Sequence, residues 1–143
     1  MPDYFHGTKQ PFANTIVGGA VDVARGTGEF GVGFYTQQRV TDAWHWAYGR
    51  WKKKEDEPAV VVVSIAAADV SALKMKGPLD HKKSDKLRQS AEKAGKSKYV
   101  AGVDVVVGTI KDRPMKKQEK FESATAQALL NSNKVTRSLH ARP

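Results

Sequence analysis

The chain reads as an α+β fold in a single domain, and three observations lead there. Two β-branched runs, Ala59-Val60-Val61-Val62-Val63-Ser64-Ile65 and Asp104-Val105-Val106-Val107-Gly108, have the length and composition of buried strands. Val40, Trp44, Ala47 and Trp51 recur at steps of four, three and four, which makes one apolar stripe along a helix. The 143 residues, 40% of them hydrophobic, suffice for one core and not for two.

Taken in order, Asp3-Tyr4-Phe5-His6-Gly7-Thr8 is a short strand ending at a glycine. Pro11 and Asn14 break it, and Thr15-Ile16-Val17 is a brief extended piece stopped by Gly18-Gly19. Gly19 to Glu29 is a glycine-rich loop with a helical turn around Val21 to Ala24, and Phe30 to Thr36 enters a strand. The striped helix ends at Lys52-Lys53-Lys54, cations that suit a helix C-terminus. Glu55-Asp56-Glu57-Pro58 is a charged turn. The valine run beyond it is apolar on both faces and is expected to be central. Val70 to Met75 is a further short strand.

Lys76 to Ser97 is crowded with lysine, and Ser84 to Ala94 has helix-forming composition with few apolar anchors, the pattern of a solvated helix or a mobile insertion. After the second valine run, Asp112-Arg113-Pro114 turns the chain. Lys117 to Glu122 is a strand, and Ser123 to Leu130 a helix with Ser123 as N-cap and Ala126, Leu129 and Leu130 inward. Asn131 to Pro143 is a basic, peripheral tail. The Trp44, Tyr48 and Trp51 cluster is expected in the core.

Composition narrows the classes of function. There is no cysteine, which excludes disulfides and thiolate metal sites and fits a reducing compartment. No apolar run approaches the roughly 20 residues of a membrane helix. Met1-Pro2-Asp3-Tyr4 has neither the basic nor the apolar region of a signal peptide. His45, His81 and His140 lack the spacing of a metal site, so no metal is assigned. The net charge of +9 favours a polyanionic partner, nucleic acid first, an acidic protein or membrane surface second.

One stretch carries chemistry. Gly31 and Gly33, one residue apart, let a backbone approach something flat or charged. Period-2 alternation then sends Phe34 to one face of a strand and Tyr35 to the other, so that one ring fills the core while the other lines a cleft.

Phe5-His6-Gly7-Thr8 and Phe30-Gly31-Val32-Gly33-Phe34-Tyr35, with Ala43 and Trp46-Ala47 on the next helix, together resemble the ADP-ribosyltransferase superfamily. The likeness is strongest to its His-Tyr-Glu branch, which includes diphtheria toxin and the poly(ADP-ribose) polymerases. Within that branch it is strongest to small bacterial toxin domains of the polymorphic, Rhs type, which carry a His-Gly-Ser/Thr strand and a Phe-Gly-x-Gly-Phe-Tyr block. Asp104 to Gly108 followed by Asp112-Arg113 resembles their later strand and turn, and the similarity spans residues 4 to 130. The resemblance implies two packed, mainly antiparallel sheets that form an NAD cleft flanked by helices. It also implies a mono-ADP-ribosyltransferase, with NAD as co-substrate and no metal.

By the same resemblance His6 hydrogen-bonds a ribose hydroxyl of NAD, Gly7 and Thr8 line the nicotinamide amide, Gly33 approaches the cofactor and Tyr35 stacks on the nicotinamide. A fixed acceptor near the oxocarbenium-like ribose lowers the barrier to cleavage. The branch places a glutamate, or in some toxins a glutamine, on a late strand. Gln118 aligns best, with Phe121 three residues on. With Phe121 in the core, Gln118, Lys120 and Glu122 share the opposite face. Gln118 is neutral, so Glu122 is the alternative source of negative charge, and Glu119 is the remaining carboxylate of this strand.

The acceptor is left open between nucleic acid, with RNA favoured, and protein. The basic 76–98 segment and the tail are the expected phosphate-binding surface. Such domains are delivered within a larger secreted effector, act in the target-cell cytoplasm and have a cognate immunity protein. Two other classes compete. One is a non-catalytic basic nucleic-acid-binding module using lysines and tryptophans. The other is an RNA 2′-phosphotransferase, which shares a His-Gly-Thr start but needs an arginine and a second histidine that are not placed here.

Overall fold

The computed structural model describes residues 2–143, and Met1 lies outside them. The chain is a mixed α+β protein. In order its elements are β1 (Asp3–Lys9), α1 (Gln10–Val17), β2 (Thr27–Gly28), β3 (Gly31–Val32), β4 (Phe34–Gln37) and α2 (Val40–Gly49). A 3₁₀ turn (Lys54–Asp56), β5 (Pro58–Ser64), α3 (Ala67–Ser71) and β6 (Met75–Lys76) follow. The last are α4 (His81–Ala94), β7 (Val105–Ile110), β8 (Arg113–Phe121), α5 (Ala124–Leu130) and β9 (Thr136–Leu139). They form two compact units. One holds the residues up to Val21, Thr36–Val70 and Leu129–Pro143, and the other holds Asp22–Tyr35 and Ser71–Ala128.

In the first unit β1 pairs antiparallel with β5 along its whole length, from Asp3 opposite Ser64 to Lys9 opposite Pro58. Phe5 pairs with Gln37 at the end of β4, and β5 pairs antiparallel with β9. The strand order is β4-β1-β5-β9. β5 is buried on both faces, as its unbroken valine run predicts. Val60 packs with Ala43 and Trp44 of α2 and with Phe5, while Val61 and Val63 are buried on the other face.

Three expectations for this unit are corrected. Residues 10–17 are helical and not broken, because Pro11 occupies the first turn of α1, where its fixed φ fits and its missing N–H has no partner to lose. α2 stops at Gly49, so Trp51 lies beyond the helix and is exposed, and Tyr48 is exposed as well; only Trp44 of that cluster is core. The 131–143 tail is not peripheral. Val135 is buried and β9 covers the edge of β5 at Val61–Ser64, satisfying backbone groups that a bare edge would leave open.

In the second unit β6 and β7 are parallel and β7 and β8 antiparallel, in the order β6-β7-β8. β2 and β3 form a two-stranded hairpin. β8 begins at Arg113, four residues before the expected strand. Of the strand expected over residues 70–75, Val70 and Ser71 end the short helix α3 and only Met75 is extended, at the start of β6. The lysine-rich segment is a helix anchored by Ser84, Leu87, Arg88 and Ala91 and not a mobile insertion. Asp80 caps it by accepting from the Lys83 N–H, and Gly95 ends it at φ 94°. Ser123 caps α5 as expected, accepting from the Ala126 N–H at 3.0 Å. Among the described residues no helix is long and apolar enough to cross a membrane.

Candidate functional site

The second unit is organised around the hairpin tip Glu29-Phe30, the two-residue loop between Gly28 and Gly31. Gly31 has φ 94°, and a Cβ there would fall 2.3 Å from the Tyr99 carbonyl oxygen, so only glycine fits. The Tyr35 ring lies against Gly28, where a Cβ would fall 2.6 Å from the ring. Its hydroxyl accepts from the Phe30 N–H at 2.9 Å and donates to the Gly31 carbonyl at 2.6 Å. The ring is thereby fixed in orientation before any ligand arrives.

Burial of that phenol pushes its pKa well above the ordinary tyrosine value, with the Glu29 and Glu122 carboxylates adding to the rise and the Phe30 N–H opposing it. Tyr35 is therefore expected to stay protonated at pH 11, where an unhindered phenol of pKa about 10 has largely ionised. Ultraviolet titration at 295 nm checks this: wild type and Tyr35→Phe should show the same phenolate amplitude at pH 11.

Gln118 reaches the same tip. Its amide nitrogen donates to Glu29 Oε1 at 3.1 Å and to the Thr109 carbonyl at 3.2 Å, which uses both N–H groups and leaves the amide oxygen as the end free to accept. Glu29 Oε1 also accepts from Arg88 at 2.9 Å and from the Lys111 N–H at 2.9 Å. Arg88, buried on α4, donates further to Asp85 at 2.7 Å and to the Thr109 carbonyl at 2.6 Å. Its guanidinium holds the Asp85 carboxyl below the usual carboxylate range. Glu29, Asp85, Arg88, Glu92, Lys96 and Lys111 line an open groove of about 270 Å³.

Lys120 holds the tip from a third direction. The residue is fully buried, its stem fills the space where a Gly33 side chain would be, and its Nζ donates to the Phe30 carbonyl at 2.7 Å. That ammonium pairs with Glu122 at 2.6 Å. The Glu122 carboxylate also accepts from the Ala101, Gly102 and Val103 N–H groups, at 3.0, 2.8 and 3.4 Å. Glu122 is thus a latch between β8 and the loop ahead of β7. The alternation expected for this strand holds, with Gln118 and Lys120 both reaching the hairpin side, while Glu119 and Phe121 are buried on the other face.

His6, Gly7 and Thr8 belong to the first unit, on β1. A Cβ on Gly7 would fall 2.3 Å from the Ala43 carbonyl of α2, so this glycine permits close strand–helix packing. Alternation places Phe5 and Gly7 on the α2 face, and His6, half-buried opposite Val61, on the other with Thr8.

Of the residues expected to bind or act, Gly33, Tyr35, Gln118 and Glu122 share one unit, and Tyr35 and Gln118 both grip residues 29–31. Glu29, Arg88 and Lys120 complete the cluster; alternation puts Lys120 on the Gln118 face, but nothing local marks it or Arg88 as buried, since a lysine or arginine held by a distant partner looks like any solvated one. Among the described residues no group of three or more His, Cys, Asp or Glu is arranged to hold a metal ion. No family model and no curated protein matches the chain.

Proposed function

We propose that the chain is an NAD-dependent mono-ADP-ribosyltransferase toxin domain that cleaves the nicotinamide–ribose bond and transfers ADP-ribose to a macromolecule, RNA first. The observation that carries this is the convergence of Tyr35 and Gln118, the resemblance's second and third motif residues, on one hairpin tip. In this account the locked Tyr35 ring stacks on the nicotinamide. The Gln118 oxygen, oriented by Glu29 and Thr109, accepts a hydrogen bond from the ribose as positive charge develops on it. Nicotinamide leaves as a neutral base, so little acid catalysis is needed. Glu122, with its carboxylate engaged by Lys120 and three amides, is left with a holding role.

Incubating the protein with labelled NAD and a fractionated cell extract tests the proposal, with label expected in RNA. Label confined to protein would replace the RNA acceptor by a protein one, and no NAD turnover would remove the enzyme. Gln118→Ala should lower kcat roughly 100-fold or more with little change in KM for NAD, the signature of a contact that strengthens in the transition state. Tyr35→Ala should abolish NAD cleavage while leaving nucleic-acid binding intact.

A further inference from the structure

The first unit carries a surface that the NAD chemistry does not use. Directly after α2 comes Arg50-Trp51-Lys52-Lys53-Lys54, every residue of it exposed. Trp51 is 45% exposed and Tyr48 39%. Their rings are 6.0 Å apart, and Tyr48 is in turn 5.8 Å from the buried Trp44. Trp44 Nε1 donates to His140 Nδ1 at 3.0 Å, which fixes the inner end of the row. At the outer end the Arg142 guanidinium lies 5.3 Å over Trp51, itself tethered by Glu57 at 2.6 Å. Aromatic rings anchored at one end, flanked by the exposed cations Lys52, Lys53 and Lys54, are what a flexible polyanion with flat bases needs.

We infer that Tyr48, Trp51, Arg142 and Lys52–Lys54 form a binding surface for single-stranded nucleic acid, with bases stacking on the two exposed rings and phosphates running along the lysines. An acidic protein would satisfy the lysines but would have no use for the two exposed rings. A duplex would keep its bases stacked on each other and leave the rings empty. The surface is distinct from the basic helix α4, which the charge count alone favours, and its function does not require that NAD be consumed.

The test is fluorescence anisotropy of the whole chain with labelled, unstructured rU15 and dT15, titrated across salt concentrations. Binding should be saturable and quench tryptophan fluorescence. Trp51→Ala should weaken it roughly tenfold to a hundredfold with the salt dependence unchanged, and Trp51→Phe should recover most of the loss. Replacing Lys52, Lys53 and Lys54 with glutamine should reduce the slope of log affinity against log salt by about 2, at about 0.7 per lost phosphate contact. The rU15 and dT15 arms tell RNA from DNA. Wild-type affinity in Trp51→Ala, loss of binding only on neutralising α4 lysines 82, 86 and 93, or a concentration-dependent dimer in which Trp51 is buried would each overturn the inference. Because no arm reads NAD, failure here and failure of the transferase proposal are separable.

Discussion

Glu122→Ala is expected to destabilise the protein by about 3–5 kcal/mol, the range for stranding one partner of a buried ion pair. The Lys120 ammonium is wholly out of water and the Glu122 carboxylate nearly so. The alanine variant leaves that cation unpaired and also frees three loop N–H groups. Glu122→Gln keeps an acceptor for the loop but not the charge, and Lys120→Met/Glu122→Gln removes both charges. The double variant should regain much of what Glu122→Gln loses, and urea midpoints at matched slope measure all three. Equal losses in Glu122→Gln and the double variant would show that the charge pairing is irrelevant.

The effect has a pH signature. Burial lowers the Lys120 pKa, and Glu122 opposes that lowering. A lysine whose folded pKa lies below its unfolded one binds fewer protons in the folded state between the two values, so stability rises with pH through that window. Without the Glu122 charge the window widens. The deficit of Glu122→Gln should therefore shrink as pH is raised from 7 toward 10. This bears on function too. If Glu122 were the catalytic carboxylate, folded Glu122→Gln would lose turnover outright; as a latch, it should keep activity in proportion to the folded fraction.

Gly7→Ala is expected to cost about 3 kcal/mol or more, at the upper end for overpacking a core. The atom in the way is a backbone carbonyl of α2, not the flexible end of a side chain. Neither element can yield easily. β1 is paired on both sides, and α2 is held by Ala43, Trp44 and Ala47, all buried. Gly49→Ala, at the far end of the same helix, is the control, since a Cβ there meets nothing within 4 Å. It should be neutral or stabilising by up to about 1 kcal/mol. Thermal unfolding of the two variants checks both, and a Gly7→Ala protein with the wild-type midpoint would contradict the packing. It follows that lost activity in Gly7→Ala cannot by itself assign Gly7 to a cofactor.

Much of the backbone was legible from local signals. The two valine runs became β5 and β7 because β-branched residues at that density fit a covered sheet. The stripe at Val40, Trp44 and Ala47 became α2, and Ser123 capped α5, because periodicity and capping act within a turn or two of chain. Where the reading missed, one local signal had two meanings. Proline both ends helices and opens them, so Pro11 read locally does not separate a break from the first turn of α1. The edge strand β9 is polar and short, and is a strand only because β5 is there to pair with it.

The chemistry-bearing residue types were in view from the outset: an early imidazole, a glycine-flanked phenol, and a late strand carrying an amide and two carboxylates. What each does was assigned by partners far along the chain. Arg88 meets Glu29 across 59 positions, Gln118 meets it across 89, and Lys120 reaches Phe30 across 90. Nothing local separates a lysine that will be buried from one that will be solvated, or a carboxylate free to act from one tied to a loop. That distinction is electrostatic, and it comes into being only when folding removes water and supplies the partner.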